Sequence, residues 1–463
     1  MKYNNGLFIF HRDLRIIDNN GLNMANDICN CIYPIFIFTP EQVTKINPYK
    51  SDNSVQFMIE SLFELSADIK IHGGKLYTFF GENNKIISEC IDKFKIDAVI
   101  FNCDYTPYAI KRDNHIIELC NKLNIKCFVE HDYYLHTPGS ILNNTGSPYQ
   151  KFTPYYNKAL TRKVQQPSMF KKINFNKKVN TLITNSISLS TAITKFTKIN
   201  NNILVFGGRH NGLIMLKKAI ESQKHYSSTH NNLSHSTTQL SAYIKFGCVS
   251  IREVFTAFKS HKYTDLIRQL IWRDFYANIL FSFPEVLGHS LKPNYDKIKW
   301  NRNIKYLNAW KNGITGFPIV DAGMRELNKT GYMHNRARLI VASVLVKTLL
   351  IDWREGELYF ATKLTDYDVA SNNGNWEWIM GGGADSQPYF RVFNPWLQSK
   401  EYDSDASYIK KWIPELSEVP KSSIHKWYSD FGLFKDINYP PPIVDYNEQK
   451  EKVIQMYKHI FYK

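Results

Sequence analysis

At 463 residues, with 43% apolar and 22% charged side chains, the chain is long enough for two or three cores and lies within the range of ordinary soluble proteins. Its net charge of +16 favours a polyanionic partner such as nucleic acid, although a chain this rich in Lys, Asn and Ile is also what AT-biased coding produces. No run of about 20 apolar residues, signal peptide, CxxC pair or Cys–His zinc spacing occurs; this excludes membrane spans and metal frameworks and points to a soluble, intracellular, reduced protein.

In chain order, apolar β-rich runs fall at Leu7–Phe10, Ile32–Phe38, Leu76–Phe80, Ala98–Phe101 and Lys126–Val129. Between them Val55, Met58, Ile59, Leu62, Phe63 and Leu65 recur at helical spacing, and Pro107–Leu123 is a second amphipathic run. The alternation predicts an α/β domain over residues 1–132, built on a doubly wound parallel sheet with right-handed crossovers. It carries neither GxGxxG nor a P-loop, hence no standard dinucleotide or phosphate site. Arg12-Asp13-Leu14-Arg15 reads as a structural corner where the first strand ends.

Residues 133–204 turn polar and rich in Asn, Thr and Lys, predicting an interdomain connector that is irregular or partly helical. From 205 to 463 the strand signal fades. Helical periodicity at Leu213–Lys224, Asp265–Phe281, Ile319–Lys329, Ala337–Leu350 and Glu448–His459 predicts an all-α C-terminal domain, in which Trp272, Trp300, Trp310, Trp353, Trp376 and Trp378 fall.

Within this half, Thr237, Thr238, Gln239, Leu240 and Ser241 precede a helix-forming run; their hydroxyls either cap the helix or, with free backbone N–H groups, hold a phosphate. Gln269, Trp272, Arg273 and Tyr276 share one helical face, which is either packed core or an aromatic–polar wall for a planar ligand. Asn335, Arg336 and Arg338 follow His334, and an arginine pair of this kind is commonly a solvated surface. Asp366, Asp368, Asn372, Asn373, Asn375, Trp376 and Trp378 crowd carboxylates, amides and indoles together. That density suits reading the edge of a heteroaromatic ring. An aromatic turn, Pro388-Tyr389-Phe390-Arg391, closes the series.

FHRDLRIIDNNGL (10–22), TTQLSAYIKFGCVS (237–250), GITGFPIVDAGMREL (313–327), GYMHNRARLIVASVLVKTLLIDWREGELYF (331–360), DYDVASNNGNWEWIMGGGADSQPYFRVFNP (366–395) and YPPPIVDYNEQKEK (439–452) resemble the motifs of class I DNA photolyases, within the photolyase/cryptochrome family. The resemblance implies an N-terminal antenna domain and a helical domain holding FAD. It places Tyr226, Thr237, Thr238, Gln239, Leu240 and Ser241 at the flavin phosphates, Arg338 and Asp366 beside the isoalloxazine ring, Asp368 at its pyrimidine edge and Asn372 at N5. Trp376, Trp353 and Trp300 match the chain that photoreduces the flavin; the bland alternative is three core indoles.

The implied partner is UV-damaged DNA, met by a monomer. Trp272 and Trp378 would hold a flipped-out lesion, with Gln269, Arg273, Tyr276, Asn335, Arg336, Arg391 and Gln398 around it. NCDYTPYAIKRD (102–113) resembles the antenna-side segment and leaves a folate, a deazaflavin or no second chromophore open. Gln269 stands where cyclobutane-dimer enzymes carry Glu, as in (6-4) photolyases and animal-type cryptochromes. Yet the two His positions of (6-4) enzymes near HNRAR are Asn335 and Leu339, which favours the cyclobutane dimer. A cryptochrome-type light receptor is the main reading from another class.

Overall fold

The computed structural model describes residues 2–177, 183–386, 388 and 391–461. Five strands, β1 (Tyr3–Phe10), β2 (Cys29–Phe38), β3 (Tyr77–Phe80), β4 (Ala98–Asn102) and β5 (Lys126–Glu130), form one sheet in the order β3-β2-β1-β4-β5. Every pairing is parallel. β1 starts four residues before its apolar run because Asp97 Oδ2 accepts the backbone N–H groups of Asn4 and Asn5 at 3.0 Å each. That satisfies polar residues which carry no strand signal.

Alternation along β1 sends Leu7 and Ile9 to one face and Phe8 and Phe10 to the other. The first face is closed by helices Asn83–Phe94 and Pro107–Lys122. Phe8 and Phe10 join a core shared with helix Asp52–Ile71 and, from the C-terminal half, with Tyr243, Phe246 and Phe275. A second core, around Trp310, Phe317, Val341, Trp353 and Trp376, lies wholly within the helical half. The periodic runs there form helices Arg209–Ser222, Thr264–Ser282, Pro318–Thr330 and Tyr446–Phe461. The run at Ala337–Leu350 is split: an α-helix covers Asn335–Ser343 and a π-helical turn covers Val344–Thr348. The connecting segment contains helices Phe152–Leu160 and Leu189–Phe196.

The two halves are pinned by a buried ion network. Arg15 reaches Asp132 at 2.5 Å, while Arg252 reaches Asp18 at 3.0 Å and Asp132 at 2.7 Å; every one of these side chains is at most 3% exposed. Burial opposes ionisation of Asp132, but Arg15 and Arg252 outweigh it and hold the carboxyl below its usual range. The Arg12–Arg15 corner therefore includes a structural arginine, as read from the sequence, but Arg12 turns toward the site described next.

Candidate active site

Asp366 lies in the turn between helices Trp353–Lys363 and Val369–Met380. Its carboxylate accepts Arg338 Nη2 at 3.0 and 3.2 Å and the Ser241 hydroxyl at 2.7 Å. One side chain thus ties the 237–241 loop to helix Asn335–Ser343. Asp368 caps helix Val369–Met380 by accepting the Ser371 N–H at 3.0 Å, and its other oxygen meets Arg12 Nη1 at 3.2 Å. Burial works against the Asp368 charge; Arg12 and then Arg273 overcome it and hold the carboxyl low.

A cavity of about 100 Å³ opens among these residues, with Arg338, Asp366, Asp368 and Asn372 as polar lining and Leu339, Phe360 and Ile379 as apolar lining. Asn372 is buried and donates Nδ2 to the Glu357 carbonyl at 3.0 Å; among the described residues its Oδ1 accepts no hydrogen bond. Trp376 forms part of the same wall. Helix Trp353–Lys363 can lie against that indole only because position 356 is Gly: a Cβ there would stand 2.1 Å from the ring.

The 237–241 loop does not cap a helix. Helix Ser241–Lys245 has Leu240 as its N-cap, with no side-chain cap bond. Gln239 adopts the left-handed region at φ 52°, and the Thr237 hydroxyl lies 3.3 Å from that of Tyr332. Tyr226 is half-buried nearby, stacked on His230 at 5.0 Å, and burial pushes its hydroxyl up to about 12. The capping alternative falls, leaving loop hydroxyls and uncapped N–H groups that suit an anion.

Trp376 and Trp353 are 2% and 1% exposed, and Trp300 is half-buried. The nearest aromatic partners of Trp376 are Phe360, with centroids 5.0 Å apart, and Trp310, at 6.2 Å. Trp310 carries no motif that marks it from sequence, since a buried indole at helical spacing is ordinary core.

The helix face read as one wall divides. Gln269 is exposed and Trp272 half-buried, its ring stacked on Phe152 at 3.6 Å. Arg273 turns away, donating Nη1 to the Tyr133 carbonyl at 2.7 Å and lying over the Tyr134 ring, because its long side chain reaches the connector. Tyr276 is buried against Gly374 and bonds Asn375, so it packs rather than facing outward. These placements correct the assignment of Arg273 and Tyr276 to a DNA-facing wall. Asn335 lines the small cavity. Arg336 is held by Asn231 Oδ1 at 2.6 Å and lies over the Tyr402 ring. Trp378 is half-buried, Arg391 is exposed, and Gln398 has a buried Oε1 with no partner among the described residues. Tyr389 and Phe390, from the aromatic turn, lie outside the described residues.

A larger cavity of about 640 Å³ opens at the C-terminal ends of β1, β2 and β4, lined in part by the 102–113 segment. It lies where the sheet order reverses about β1, the usual ligand crevice of such sheets even without a glycine fingerprint. His11, Arg12, Thr39, Asp104, Tyr108 and Lys245 are among its lining residues. Arg12 bridges the two cavities, meeting Asp104 at 2.7 Å on one side and Asp368 on the other.

Residues 7–171 match the family described as DNA photolyase, and residues 266–459 match the FAD binding domain of DNA photolyase. A deoxyribodipyrimidine photo-lyase of Buchnera aphidicola subsp. Baizongia pistaciae is 37% identical, covering 98% of each chain. The chain belongs to the DNA photolyase family. Among solved structures, the archaeal photolyase of Sulfolobus tokodaii with two FAD molecules is 41% identical at TM-score 0.87, covering 98% of this chain and all of that one. A class III photolyase of Agrobacterium tumefaciens superposes at TM-score 0.92 with 29% identity, covering 100% of this chain and 99% of the other.

The FAD expected of a photolyase fits the residues present. Acceptors, a cation and apolar walls meet in the small cavity, and an uncapped, hydroxyl-bearing loop is tied to it through Asp366. Among the described residues no helix is long and apolar enough to cross a membrane, and no cluster could hold a metal ion.

Proposed function

We propose that this protein repairs cyclobutane pyrimidine dimers in DNA, driven by light and dependent on FAD. The observation that carries the reading is the Arg338–Asp366–Ser241 tie around a cavity walled by Asn372 and Trp376, in a chain aligned over 98% of its length with a deoxyribodipyrimidine photo-lyase.

When bound, FAD supplies the light-excited electron that opens the dimer. Arg338, Asp366, Asp368 and Asn372 hold and orient its ring, and the 237–241 loop with Tyr226 receives the phosphates. Trp272 and Trp378 stack on the lesion once it leaves the duplex, each contact worth roughly 1–3 kcal/mol per base. Gln269 bonds the pyrimidine edge, and Arg336, Arg391 and Gln398 meet the strand around it. Trp376, Trp353 and Trp300 resupply electrons. Asn335 and Leu339, which stand where a (6-4) enzyme needs His, both line the small cavity, and neither can serve as an acid there. The larger cavity holds a second, light-gathering chromophore. Its ring-lined, cation-bearing wall suits a planar, anionic chromophore, and the relative that carries two FAD molecules makes a flavin one candidate.

Asp366→Ala is expected to weaken FAD binding at least tenfold, about 1.4 kcal/mol, read as the flavin retained on purification. Retention at the level of the unaltered protein would remove Asp366 from the flavin site.

A further inference from the structure

We infer that Lys347 is a positioning residue for DNA recognition, fixing the segment that carries Arg391 by donating a hydrogen bond to the Arg391 backbone carbonyl. The inference rests on the reading above that Arg391 meets the damaged strand.

Lys347 lies in the π-helical turn Val344–Thr348 and is 2% exposed, beside Val344, Leu345 and Val346, which are fully buried. A lysine in such surroundings is costly unless its ammonium is well paired. Here the only hydrogen bond it makes among the described residues runs from Nζ to the Arg391 carbonyl at 2.9 Å, and no carboxylate forms an ion pair with it. A core selected for stability alone would place Leu or Met at this position. A buried cation that bonds only the backbone of a DNA-facing segment fits a residue retained for placement.

The local geometry supports the same reading. The turn closes with Leu349 N–H donating to the Val344 carbonyl at 2.8 Å, the wider spacing of a π-bulge, and such bulges concentrate at functional sites. The turn continues directly from helix Asn335–Ser343, whose Arg338, Leu339 and Ala342 line the flavin cavity. One continuous element therefore carries both the flavin contacts and the anchor for Arg391, fixing the distance between cofactor and strand. The positive charges of Arg336 and Lys347 both act against that of Arg391, with Glu401 as the acid facing Arg336. Burial, then Arg391, pulls Lys347 down to about 8. Like charges gathered this way favour a polyanion that can neutralise them.

The test uses the FAD-loaded, chemically reduced full chain and an oligonucleotide carrying one thymine cyclobutane dimer. Lys347→Met is expected to keep flavin content and to leave Tm unchanged or raised, because an apolar chain of similar length replaces a buried charge. The half-saturating DNA concentration is expected to rise about tenfold, in line with losing a charge-assisted hydrogen bond, with turnover at saturating DNA unchanged. Lys347→Leu is measured alongside, so that a packing fault peculiar to one side chain is not mistaken for loss of the anchor. In the double variant with Arg391→Ala, little further loss is expected, since both changes remove the same contact. Unaltered affinity in both Lys347 variants while Arg391→Ala weakens binding overturns the inference, as would fully additive losses. Unaltered affinity in Arg391→Ala itself overturns the reading of Arg391, and the inference with it.

Discussion

Replacing Asp132 with alanine is expected to destabilise the protein by about 3–5 kcal/mol, because Arg15 loses its carboxylate partner and becomes a buried cation without one, while Arg252 is left with Asp18 alone. Urea unfolding measures the change directly, and a loss below about 1 kcal/mol would mean that the network contributes little to joining the halves. The same carboxylate predicts an acid response. Its folded pKa is depressed below the unfolded value of about 3.9, so its contribution is complete above that value and is lost as pH falls through the lower folded one. Stability of the unaltered protein should therefore fall steeply below about pH 4, and the Asp132→Ala variant should fall less over that range.

The second large effect is expected at Trp376. Trp376→Phe removes the indole that lines the flavin cavity and should abolish rapid photoreduction of bound flavin. Repair by chemically reduced enzyme should stay nearly intact, since that route needs no electron from the chain. Equal photoreduction rates in the two proteins would exclude Trp376 as the donor. Because Trp310 is a direct ring neighbour of Trp376 whereas Trp353 is not, Trp353→Phe should be compared in the same experiment.

Much of the fold was legible because it rests on periodicity. The alternating apolar runs became five parallel strands, and the long helical runs became helices whose ends shifted by a few residues. What periodicity misses is set by side-chain satisfaction. Asn4 and Asn5 extend β1 because a distant Asp97 accepts their N–H groups, and Phe152 opens a helix in a polar stretch by stacking on Trp272. At the site, three residues singled out from the motifs meet at one carboxylate, Asp366 accepting from both Ser241 and Arg338. Arg273 and Tyr276 share the helical face of Trp272, but side-chain length and a neighbouring glycine decide where each one points. Of the larger cavity only the 102–113 segment stood out in the sequence, because the rest is assembled from the ends of β1 and β2, Lys245 and other residues distant from that segment in the chain.

Light-dependent repair of an oligonucleotide carrying a single thymine cyclobutane dimer, by the reduced, FAD-loaded protein, is the most direct test. Restored thymines under blue light and none in darkness are expected. Bound flavin with no restoration in light would contradict the proposed activity, and restoration of a (6-4) lesion instead would assign Gln269, Asn335 and Leu339 to a different substrate.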